Sequence, residues 1–365
     1  MMKSPMHADW RLARRSDPPG TGRTARSSSR GLVLALTATV VALWARPSAA
    51  VDRIPLAELR QNLFATCFVS NDEGFMVGDL ARIFHTTDGG KTWAHSEAPN
   101  KLSLVALSCV DKTHLWASGQ AGEIVFSSDG GATWQLQTSG IKRQLLDIAF
   151  ANPQRGLAVG DFGTMVRTDD GGATWSKVAL PADVKLPPDV AEVVEPGDIV
   201  LYSVTFADAD HAWAAGEFGT ILASNDGGVT WRQQNSSVET SLFGVSFADT
   251  QRGWAVGIEA TLLATTDGGS TWHKEAIQTP KGFLLALYDV QVRGNYGWAV
   301  GNSGFLLNSQ DAGATWQLVS VPIQMGSSWL RGLSLFTDGR GFIVGARGLV
   351  LTADRDKFTA SKERL

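Results

Sequence analysis

The sequence predicts an all-β protein, a seven-bladed β-propeller with four-stranded blades. The main observation is a pair of short motifs that recur together seven times along the 365 residues. The composition agrees with this fold, since 39 Gly and 13 Trp are typical of many short strands joined by tight turns. Seven repeats with a period near 40 residues indicate a radial array of small sheets.

The first motif has the form Ser/Thr-x-Asp-x-Gly-x-Thr-Trp. Its copies are TTDGGKTW (86–93), SSDGGATW (127–134), TDDGGATW (168–175), SNDGGVTW (224–231), TTDGGSTW (265–272), SQDAGATW (309–316) and a degenerate TADRDKF (352–358). Successive aspartates lie 41 to 44 residues apart, except for one step of 56. The second motif, of which GWAVG (253–257) is an example, precedes each of these aspartates at a nearly constant distance.

Four strands are predicted in each repeat, and the fifth repeat shows them most clearly. Its strands A to D are expected at 241–249, 253–257, 261–266 and 271–276, with glycines where the chain reverses direction. The first motif then occupies the turn between strands C and D. There its Asp can accept backbone N–H bonds, its glycines allow positive φ, and its Trp packs between strands.

We interpret this motif as structural, because a catalytic group is not needed six times in one chain. We predict no catalytic residue, no metal site and no cofactor. The predicted structural residues are the Asp and the Trp of each complete copy, namely Asp88, Trp93, Asp129, Trp134, Asp170, Trp175, Asp226, Trp231, Asp267, Trp272, Asp311 and Trp316.

Residues 1–50 have the three-part layout of a secretory signal. Seven Lys or Arg residues precede the apolar segment GLVLALTATVVALWA (31–45), and small residues follow it in RPSAA. The apolar segment is too short to span a membrane comfortably. We therefore expect cleavage near Ala50, export of a mature propeller domain (51–365), and a periplasmic location.

The charge of the mature chain argues against a nucleic-acid-binding function. The leader holds eight Lys or Arg and two Asp, so the net charge changes from −4 for the whole chain to −10 without it. Proteins that bind nucleic acids present basic surfaces. We therefore do not expect a nucleic-acid-binding function.

Two structural questions stay open in the sequence. Cys67 and Cys109 lie in corresponding strands of neighbouring repeats, and an exported pair can form a disulfide, but two cysteines do not define a framework. The degenerate seventh repeat leaves the outer strand of the last blade undefined. Either VDRIPLA (51–57) adds to that blade and closes the ring, or residues 357–362 supply an ordinary fourth strand.

The face opposite the first motif is expected to carry any binding site. Loops A–B and C–D emerge on one face of a propeller, and loops B–C and D–A emerge on the other, which we call the second face. An insertion (181–199) with four prolines lengthens the D–A loop between blades 3 and 4. We expect this insertion to lie over the second face as a semi-ordered loop.

Two acidic–aromatic pairs mark the second face at blades 3 and 4. Asp161-Phe162 and Glu217-Phe218 occupy the B–C turns of these blades. Exposed aromatic rings surrounded by charge are a plausible anchor for a protein partner. The alternative is that both phenylalanines cover the apolar end of the central channel.

A basic pair lies in the D–A loop before blade 3. Lys142 and Arg143 could border the same patch as the two phenylalanines. The simpler interpretation is a solvated basic pair. We include both residues in the partner-binding hypothesis.

The six complete copies are Asp-box, or BNR, repeats. With the GWAVG-type motif in every repeat, the chain resembles the photosystem II stability and assembly factor family over about residues 55–356. The resemblance implies an exported propeller without enzymatic activity that helps to assemble a membrane-protein complex. It implies a thylakoid-lumen-like location if the host is photosynthetic. We expect a monomer whose partner is such a complex or its assembly intermediate.

Two alternatives from other functional classes are retained. A glycoside-recognising or hydrolysing, sialidase-like propeller would need three arginines in a carboxylate clamp and a Tyr–Glu nucleophile pair. The segment DRIP (52–55) resembles the part of sialidases that supplies one such arginine, but the chain has only three tyrosines, Tyr202, Tyr288 and Tyr296. The other alternative is a purely structural envelope protein.

Overall fold

The computed structural model of the protein describes residues 53–55, 59–280, 284–321 and 328–361. These residues form seven antiparallel sheets around a central channel, so the predicted seven-bladed β-propeller is confirmed. Strand A of each blade lines the channel, and strands B, C and D follow outwards. The predicted leader (1–50) lies outside the described residues.

The first four blades contain strands β1 to β17. Blade 1 has β1 (Arg53–Pro55), β2 (Leu63–Phe68), β3 (Gly74–Gly78), β4 (Arg82–Thr86) and β5 (Thr92–Glu97), and blade 2 has β6 (Leu104–Cys109), β7 (Leu115–Gly119), β8 (Ile124–Ser127) and β9 (Gln135–Gln137). Blade 3 has β10 (Leu145–Phe150), β11 (Gly156–Gly160), β12 (Met165–Thr168) and β13 (Ser176–Lys177), and blade 4 has β14 (Leu201–Phe206), β15 (Ala212–Gly216), β16 (Ile221–Ser224) and β17 (Arg232–Gln234).

The last three blades contain strands β18 to β29. Blade 5 has β18 (Leu242–Phe247), β19 (Gly253–Gly257), β20 (Leu262–Thr265) and β21 (His273–Lys274), and blade 6 has β22 (Leu287–Arg293), β23 (Tyr296–Gly301), β24 (Leu306–Ser309) and β25 (Gln317–Leu318). Blade 7 has β26 (Leu330–Leu335), β27 (Arg340–Gly345), β28 (Val350–Asp354) and β29 (Lys357–Ala360). Short 3₁₀ turns occur at Asp79–Ala81, Gln120–Gly122, Pro196–Asp198, Asn302–Gly304 and Ala346–Gly348.

Strand B of each blade is buried along its whole apolar motif. In blade 5, every residue of β19 is buried, because the strand lies between strands A and C and its faces contact the neighbouring blades. Strand D is shorter than the sequence predicted, since β21 has two residues where six were expected. Thr271 and Trp272 belong to the Asp-box turn, so only the residues after them pair with strand C.

The Asp box closes the turn between strands C and D by hydrogen bonds. In blade 3, Asp170 Oδ1 accepts a bond from the backbone N–H of Thr174 (2.9 Å) and Oδ2 accepts one from the Thr174 hydroxyl (2.6 Å). The Thr168 hydroxyl donates to Asp170 (2.8 Å) and accepts from the Gly172 N–H (2.8 Å). The bonds from Thr174 lower the pKa of Asp170 to about 2, so the carboxylate is ionised throughout the neutral range.

Two glycines in this turn have backbone conformations that suit glycine. Gly171 and Gly172 have φ of 71° and 87°, a region that side chains with a Cβ rarely adopt. The Gly171 N–H also donates to the carbonyl of Gln154 in the A–B turn (2.8 Å). The Asp boxes and the A–B turns therefore share the first face.

Tryptophans of strand B join blades 2, 4 and 5 to the Asp box of the next blade. The indole N–H of Trp116 donates to Gly171 O (3.2 Å), and that of Trp254 donates to Gly313 O (3.1 Å). Trp298 of blade 6 occupies the corresponding position, but its indole N–H has no acceptor in the described structure. In blade 7 the degenerate box forms a tight hairpin in which Asp354 pairs with Lys357, so the Gly-Gly turn that supplies the accepting carbonyl in other blades is absent.

Side chains of the inner strands also bond to the backbone of the following blade. The Ser108 hydroxyl of blade 2 accepts the N–H of Phe150 in blade 3 (3.0 Å). One blade earlier, Cys67 and Cys109 occupy the positions equivalent to this pair and form a disulfide with a Cα–Cα distance of 6.1 Å. The disulfide therefore replaces a hydrogen bond between neighbouring blades with a covalent link.

The hypothesis that the segment after the leader closes the ring at blade 7 is wrong. Strand β1 pairs with β5 on the outer edge of blade 1, with Ile54 opposite Trp93. The outer strand of blade 7 is β29, which pairs with β28, as the alternative interpretation expected. The complete Asp box of blade 1 leaves a regular strand edge at β5, and β1 covers that edge.

The junction between blades 7 and 1 is therefore held without a shared strand. The rings of Phe68 and Phe342 stack with centroids 4.2 Å apart, and Phe64 stacks on Trp329 at 5.6 Å. The Arg347 backbone N–H donates to the Asn62 side-chain oxygen (2.9 Å). Aromatic packing and hydrogen bonds close the ring.

We predict that loss of the disulfide destabilises the propeller, and that serine compensates better than alanine. A link across 42 residues contributes about 4 kcal/mol to the free energy of unfolding in the loop-entropy approximation. In Cys67→Ser/Cys109→Ser, the hydroxyl introduced in place of the Cys67 thiol can accept a backbone N–H as Ser108 does, whereas the double alanine variant cannot. Urea unfolding monitored by Trp fluorescence measures the difference. Equal midpoints for the two double variants would contradict the equivalence of these positions.

We also predict that the Asp of a complete Asp box contributes more to the free energy of unfolding than the Asp of the degenerate copy. Asp170→Ala removes the acceptors for Thr174 and should lower the free energy of unfolding by about 1 kcal/mol. Asp354→Ala is the matched control, since this exposed residue occupies the same position in the degenerate box, and its effect should stay within about 0.5 kcal/mol. Urea midpoints of both variants test this; similar losses would mean that the box hydrogen bonds do not stabilise the fold.

Candidate functional site

The B–C turns and the D–A loops meet on the second face. In blade 3 the Asp161 N–H donates to Gln144 O (3.2 Å), just before strand A, and in blade 4 the Glu217 N–H donates to Val200 O (3.0 Å). The Asp boxes bond instead to the A–B turns on the first face. The residues predicted to bind a partner therefore lie on the face without Asp boxes.

The tips of the B–C turns have a left-handed backbone conformation. Phe162 and Phe218 have φ of 53° and 54°, and this region is uncommon for bulky residues. The corresponding residues of the other blades share the conformation: Leu80, Ala121, Glu259, Ser303 and Arg347. Each turn therefore carries one side chain at a fixed position on the rim.

The rim has an apolar character. Phe162 is 53% exposed and Leu80 is 68% exposed. Of the eight large hydrophobic residues that are exposed in the described structure, five belong to turns or loops of the second face: Leu80, Phe162, Val193, Ile258 and Leu284. The second face therefore exposes more large hydrophobic side chains than the first face, as protein interaction sites do.

Arg143 and Phe162 form one unit on this rim. The guanidinium carbon of Arg143 lies 4.0 Å from the centroid of the Phe162 ring, a cation–π arrangement. Lys142 is exposed beside Arg143. Arg143 is itself exposed and also covers one face of the Phe162 ring, so the structure is compatible with both the solvated pair and a place in the patch.

Phe218 has a different environment from Phe162. Its ring is partly buried and packs against the cluster that includes Val184 and Ile199 of the insertion. The insertion is also fixed to strand β17, because the Gln233 amide bonds to both the N–H (2.7 Å) and the carbonyl (3.0 Å) of Lys185. Phe218 therefore helps to hold the insertion on blade 4.

A central channel of about 490 Å³ opens inside the ring of A strands. The second residue of each A strand forms a ring at its second-face end, and neither Phe162 nor Phe218 lines it. The two phenylalanines therefore do not cover the channel. The mouth ring consists of Phe64, Val105, Leu146, Tyr202, Phe243, Tyr288 and Arg331.

Three aromatic rings form an arc along blades 4 to 6 of the mouth. The Phe243 centroid lies 4.9 Å from that of Tyr202 and 5.7 Å from that of Tyr288. All three side chains are partly exposed. Their faces and edges are therefore available to a group that enters the channel.

Carboxylates surround the Tyr202 end of this arc. The pKa of Tyr202 is raised to about 12. Burial of the phenol is the largest cause, and the negative charges of Glu217 and Asp161 add to it. Glu217 Oε2 also accepts the N–H of Val200 (2.8 Å). The acidic residues of both predicted pairs therefore lie near Tyr202, although neither of them lines the channel.

Two further aspartates lie one residue deeper in the channel. Asp147 accepts the N–H of Ile148 (2.8 Å) and of Val204 in blade 4 (2.8 Å). Asp289 accepts the N–H of Val290 (2.8 Å) and of Leu333 in blade 7 (3.1 Å). Each carboxylate thereby bonds to the next blade.

Burial changes the proton affinity of both aspartates. It raises the pKa of Asp147 to about 6. Burial and the charge of Asp147 together raise the pKa of Asp289 to about 8. The backbone N–H bonds oppose both changes, but in both cases burial dominates.

Arginines line the opposite part of the channel. Arg331 of blade 7 lies with its guanidinium carbon 5.6 Å from the Phe64 centroid, and Arg293 ends β22 in blade 6. Blade 7 lies across the ring from the junction of blades 3 and 4. The charged groups of the channel lining are therefore Asp147 at blade 3, both Asp289 and Arg293 at blade 6, and Arg331 at blade 7.

Sequence reasoning missed the channel residues as a group. The signal was present, because Phe64, Tyr202, Phe243, Tyr288 and Arg331 occupy the same position of their A strands. When the repeats are aligned, this position of strand A is mostly aromatic or charged, whereas strand B is wholly apolar. Such a position indicates side chains directed into the channel.

The described residues contain no cluster of three His, Cys, Asp or Glu suited to a metal ion. They also contain no helix long and apolar enough to cross a membrane. His114 and His211 bond to Asp111 and Asp208 in their A–B turns (2.9 Å each), as expected for a repeated structural role.

We predict that the channel aspartates make the fold less stable as the pH rises from about 4 to about 8. Their pKa values of about 6 and about 8 exceed the ordinary value of 3.8, so the unfolded chain releases these protons first and ionisation favours unfolding. Asp289→Asn should flatten this dependence, and Asp147→Asn should do so less. Thermal midpoints of each variant relative to wild type, measured from pH 5 to pH 8, test the prediction; a constant difference would contradict it.

Comparison with known proteins gives one family and several similar folds. The model of the family "Photosynthesis system II assembly factor YCF48" matches residues 133–193 and 230–329. No curated protein sequence matches the chain significantly. Because the matched segments extend from blade 2 to the loop before blade 7, with a gap at 194–229, they contain five of the six complete Asp boxes in whole or in part.

Solved structures show the same architecture at low sequence identity. The structure of "YCF48 bound to D1 peptide" is 21% identical with a TM-score of 0.63, and the match covers 82% of this chain and 95% of that one. YCF48 from Cyanidioschyzon merolae is also 21% identical, with a TM-score of 0.63 and coverages of 82% and 97%. An ancestral GH74 enzyme is 13% identical with a TM-score of 0.61, and the match covers 86% of this chain and 48% of that one.

These solved structures establish the fold, which binding proteins and enzymes share. The family model adds information that the fold alone does not give, because it matches the repeats by sequence. The predicted resemblance of this chain to the photosystem II assembly-factor family is thus confirmed.

Proposed function

We propose that the protein is an exported, non-enzymatic scaffold that binds a membrane-protein complex or its assembly intermediate through the second face. The observation that carries the proposal is the concentration of exposed apolar side chains on this face, with Phe162 under the Arg143 cation at its rim. Exposed aromatic residues beside arginine are the composition that protein interfaces favour.

The comparisons support a partner of this kind. The family match is to an assembly factor, and one solved relative carries a bound D1 peptide. For this chain, a peptide segment of a membrane protein is the corresponding partner. The basic and apolar character of residues 1–50 supports export to the periplasm, or to a lumen if the host is photosynthetic.

The composition of the channel lining favours a second candidate function, glycoside binding. Carboxylates, arginines and tyrosines do meet there, as such a site requires. However, a sialidase-like clamp needs three arginines, and the described channel lining contains two, Arg293 and Arg331. Both channel aspartates also bond to backbone N–H groups of the next blade, so their presence in the channel does not require a glycosidase function. A glycan array would show whether this alternative applies.

The proposed function is tested by capture of partners from detergent-solubilised membranes of the host. Tagged wild-type protein should retain a membrane-protein complex that mass spectrometry identifies, and Phe162→Asn should retain at least tenfold less of it. Asn tolerates the left-handed backbone at this position, so the variant should unfold at the same temperature as wild type. A polar substitution at Phe218 is less informative, because this ring also holds the insertion.

Val229→Asn is the matched control for this experiment. Val229 is 54% exposed, as Phe162 is 53% exposed, but it lies in an Asp box on the first face. The control should retain the complex as wild type does. If the two variants behave alike, or if wild type captures no membrane protein, the second face is not the docking surface.

A further inference from the structure

The channel mouth carries more negative charge than its cationic neighbours balance. Asp161, Glu217 and Asp147 converge on three consecutive residues of β14, since the first two act on Tyr202 and the third bonds to Val204. None of the three carboxylates forms an ion pair with a Lys, Arg or His among the residues that the structure describes.

The nearest cations are fixed elsewhere. Arg143 covers the ring of Phe162 on the outer rim. Arg331 lies over Phe64, across the ring from the junction of blades 3 and 4. Arg331 nevertheless acts electrostatically on Asp147. Asp161 and Glu217, which act on Tyr202 and form no ion pair among the described residues, therefore carry the charge that no cation balances.

The aromatic arc supplies the second requirement of a cation site. Tyr202, Phe243 and Tyr288 are neighbours at the mouth, with centroids 4.9 Å and 5.7 Å apart, and are partly exposed. Aromatic faces attract guanidinium and ammonium groups, most strongly where water is partly excluded. Tyr202 is the second residue of its A strand, and Asp147 is the third residue of the neighbouring A strand. Asp147 therefore lies one residue, or about 3.3 Å, deeper in the channel.

We propose that the channel mouth at blades 3 to 5 binds the side chain of an Arg or Lys residue that belongs to a bound polypeptide. The cation lies against Tyr202 and Phe243, with Asp147, Asp161 and Glu217 as its counter-charges. This inference rests on the proposed docking function, because the polypeptide is the partner segment held on the second face. It adds that the segment is basic, which suits a chain whose net charge is −10 without the leader.

The channel is large enough for such a side chain but not for a folded partner. A volume of about 490 Å³ accommodates one long side chain and part of its backbone. Arg331 on the opposite wall repels the cation and thereby favours the wall at blades 3 and 4. The groups that face Asp147 are Ser203, Asp289 and Arg331, so binding of a cation there opposes protonation of Asp147.

The probe for this site is the pentapeptide Gly-Gly-Arg-Gly-Gly with blocked ends. Citrulline in place of Arg gives a peptide of the same shape without charge, and Glu gives one of opposite charge. Saturation-transfer NMR titrations with the full protein should show the Arg peptide binding at least tenfold more tightly than either counterpart. Its affinity should increase from pH 5 to pH 8 and decrease with added salt.

Two pairs of variants locate the site. Phe243→Leu should weaken binding of the Arg peptide about threefold to tenfold, whereas Phe64→Leu, the same position on the opposite wall, should not weaken it. Glu217→Gln keeps an oxygen for the Val200 N–H and removes the charge, and should weaken binding up to about fivefold. Unchanged melting temperatures of these variants show that the fold is intact.

The outcomes separate this inference from the proposed function. Equal binding of the Arg and citrulline peptides, preference for the Glu peptide, or equal effects of Phe243→Leu and Phe64→Leu would overturn the cation site. If membrane-protein capture still depends on Phe162 in that case, the proposed docking function stands without it. Binding of the Arg peptide without capture of any membrane protein would support the site and contradict the docking function.

Discussion

The architecture depends on hydrogen bonds that cross from each blade to the next. A radial array of small sheets leaves polar backbone groups of every inner strand beside a neighbouring blade, and buried polar groups must find partners. The protein meets this need from the side chains of the preceding blade, as when Asp147 and Ser108 accept N–H groups of the following inner strand. The strand B tryptophans do the same on the outer side, with carbonyls of the next Asp box. The disulfide between blades 1 and 2 belongs to the same series.

The sequence predicted what is local and missed what crosses blades. The Asp-box turn could be derived because its partners, Thr168 to Thr174, lie within seven residues of chain. The bonds that Ser108, Asp147 and the strand B tryptophans make to the next blade join residues 42 to 59 positions apart, and only the repeat alignment could have revealed them. Cys67 is the fifth residue of β2 and Cys109 is the sixth residue of β6, which is the same offset as that between Ser108 and Phe150.

The candidate site was predicted in part, for the same reason. The position of Asp161, Phe162, Glu217 and Phe218 on the second face follows from strand order alone. Their environments do not, because Phe218 packs against an insertion whose path no periodic pattern specifies, and the two acidic residues act on Tyr202, which belongs to a channel formed by all seven blades. The partner-binding role of these residues stays a prediction. The prediction that paired the β1 segment with blade 7 failed for a related reason. Edge strands pair through backbone groups, and little in their side chains specifies the partner strand.

The position of β1 also bears on how the ring is assembled. Because β1 pairs within blade 1, every blade is built from one continuous stretch of chain and needs no strand from the other terminus. Chains emerge from their N-terminus during synthesis, and segments with local contacts can fold in that order. Each blade can therefore form and join its predecessor in turn, with contacts between blades added one neighbour at a time. The seam between blades 7 and 1 forms last, and it joins two surfaces that are already folded.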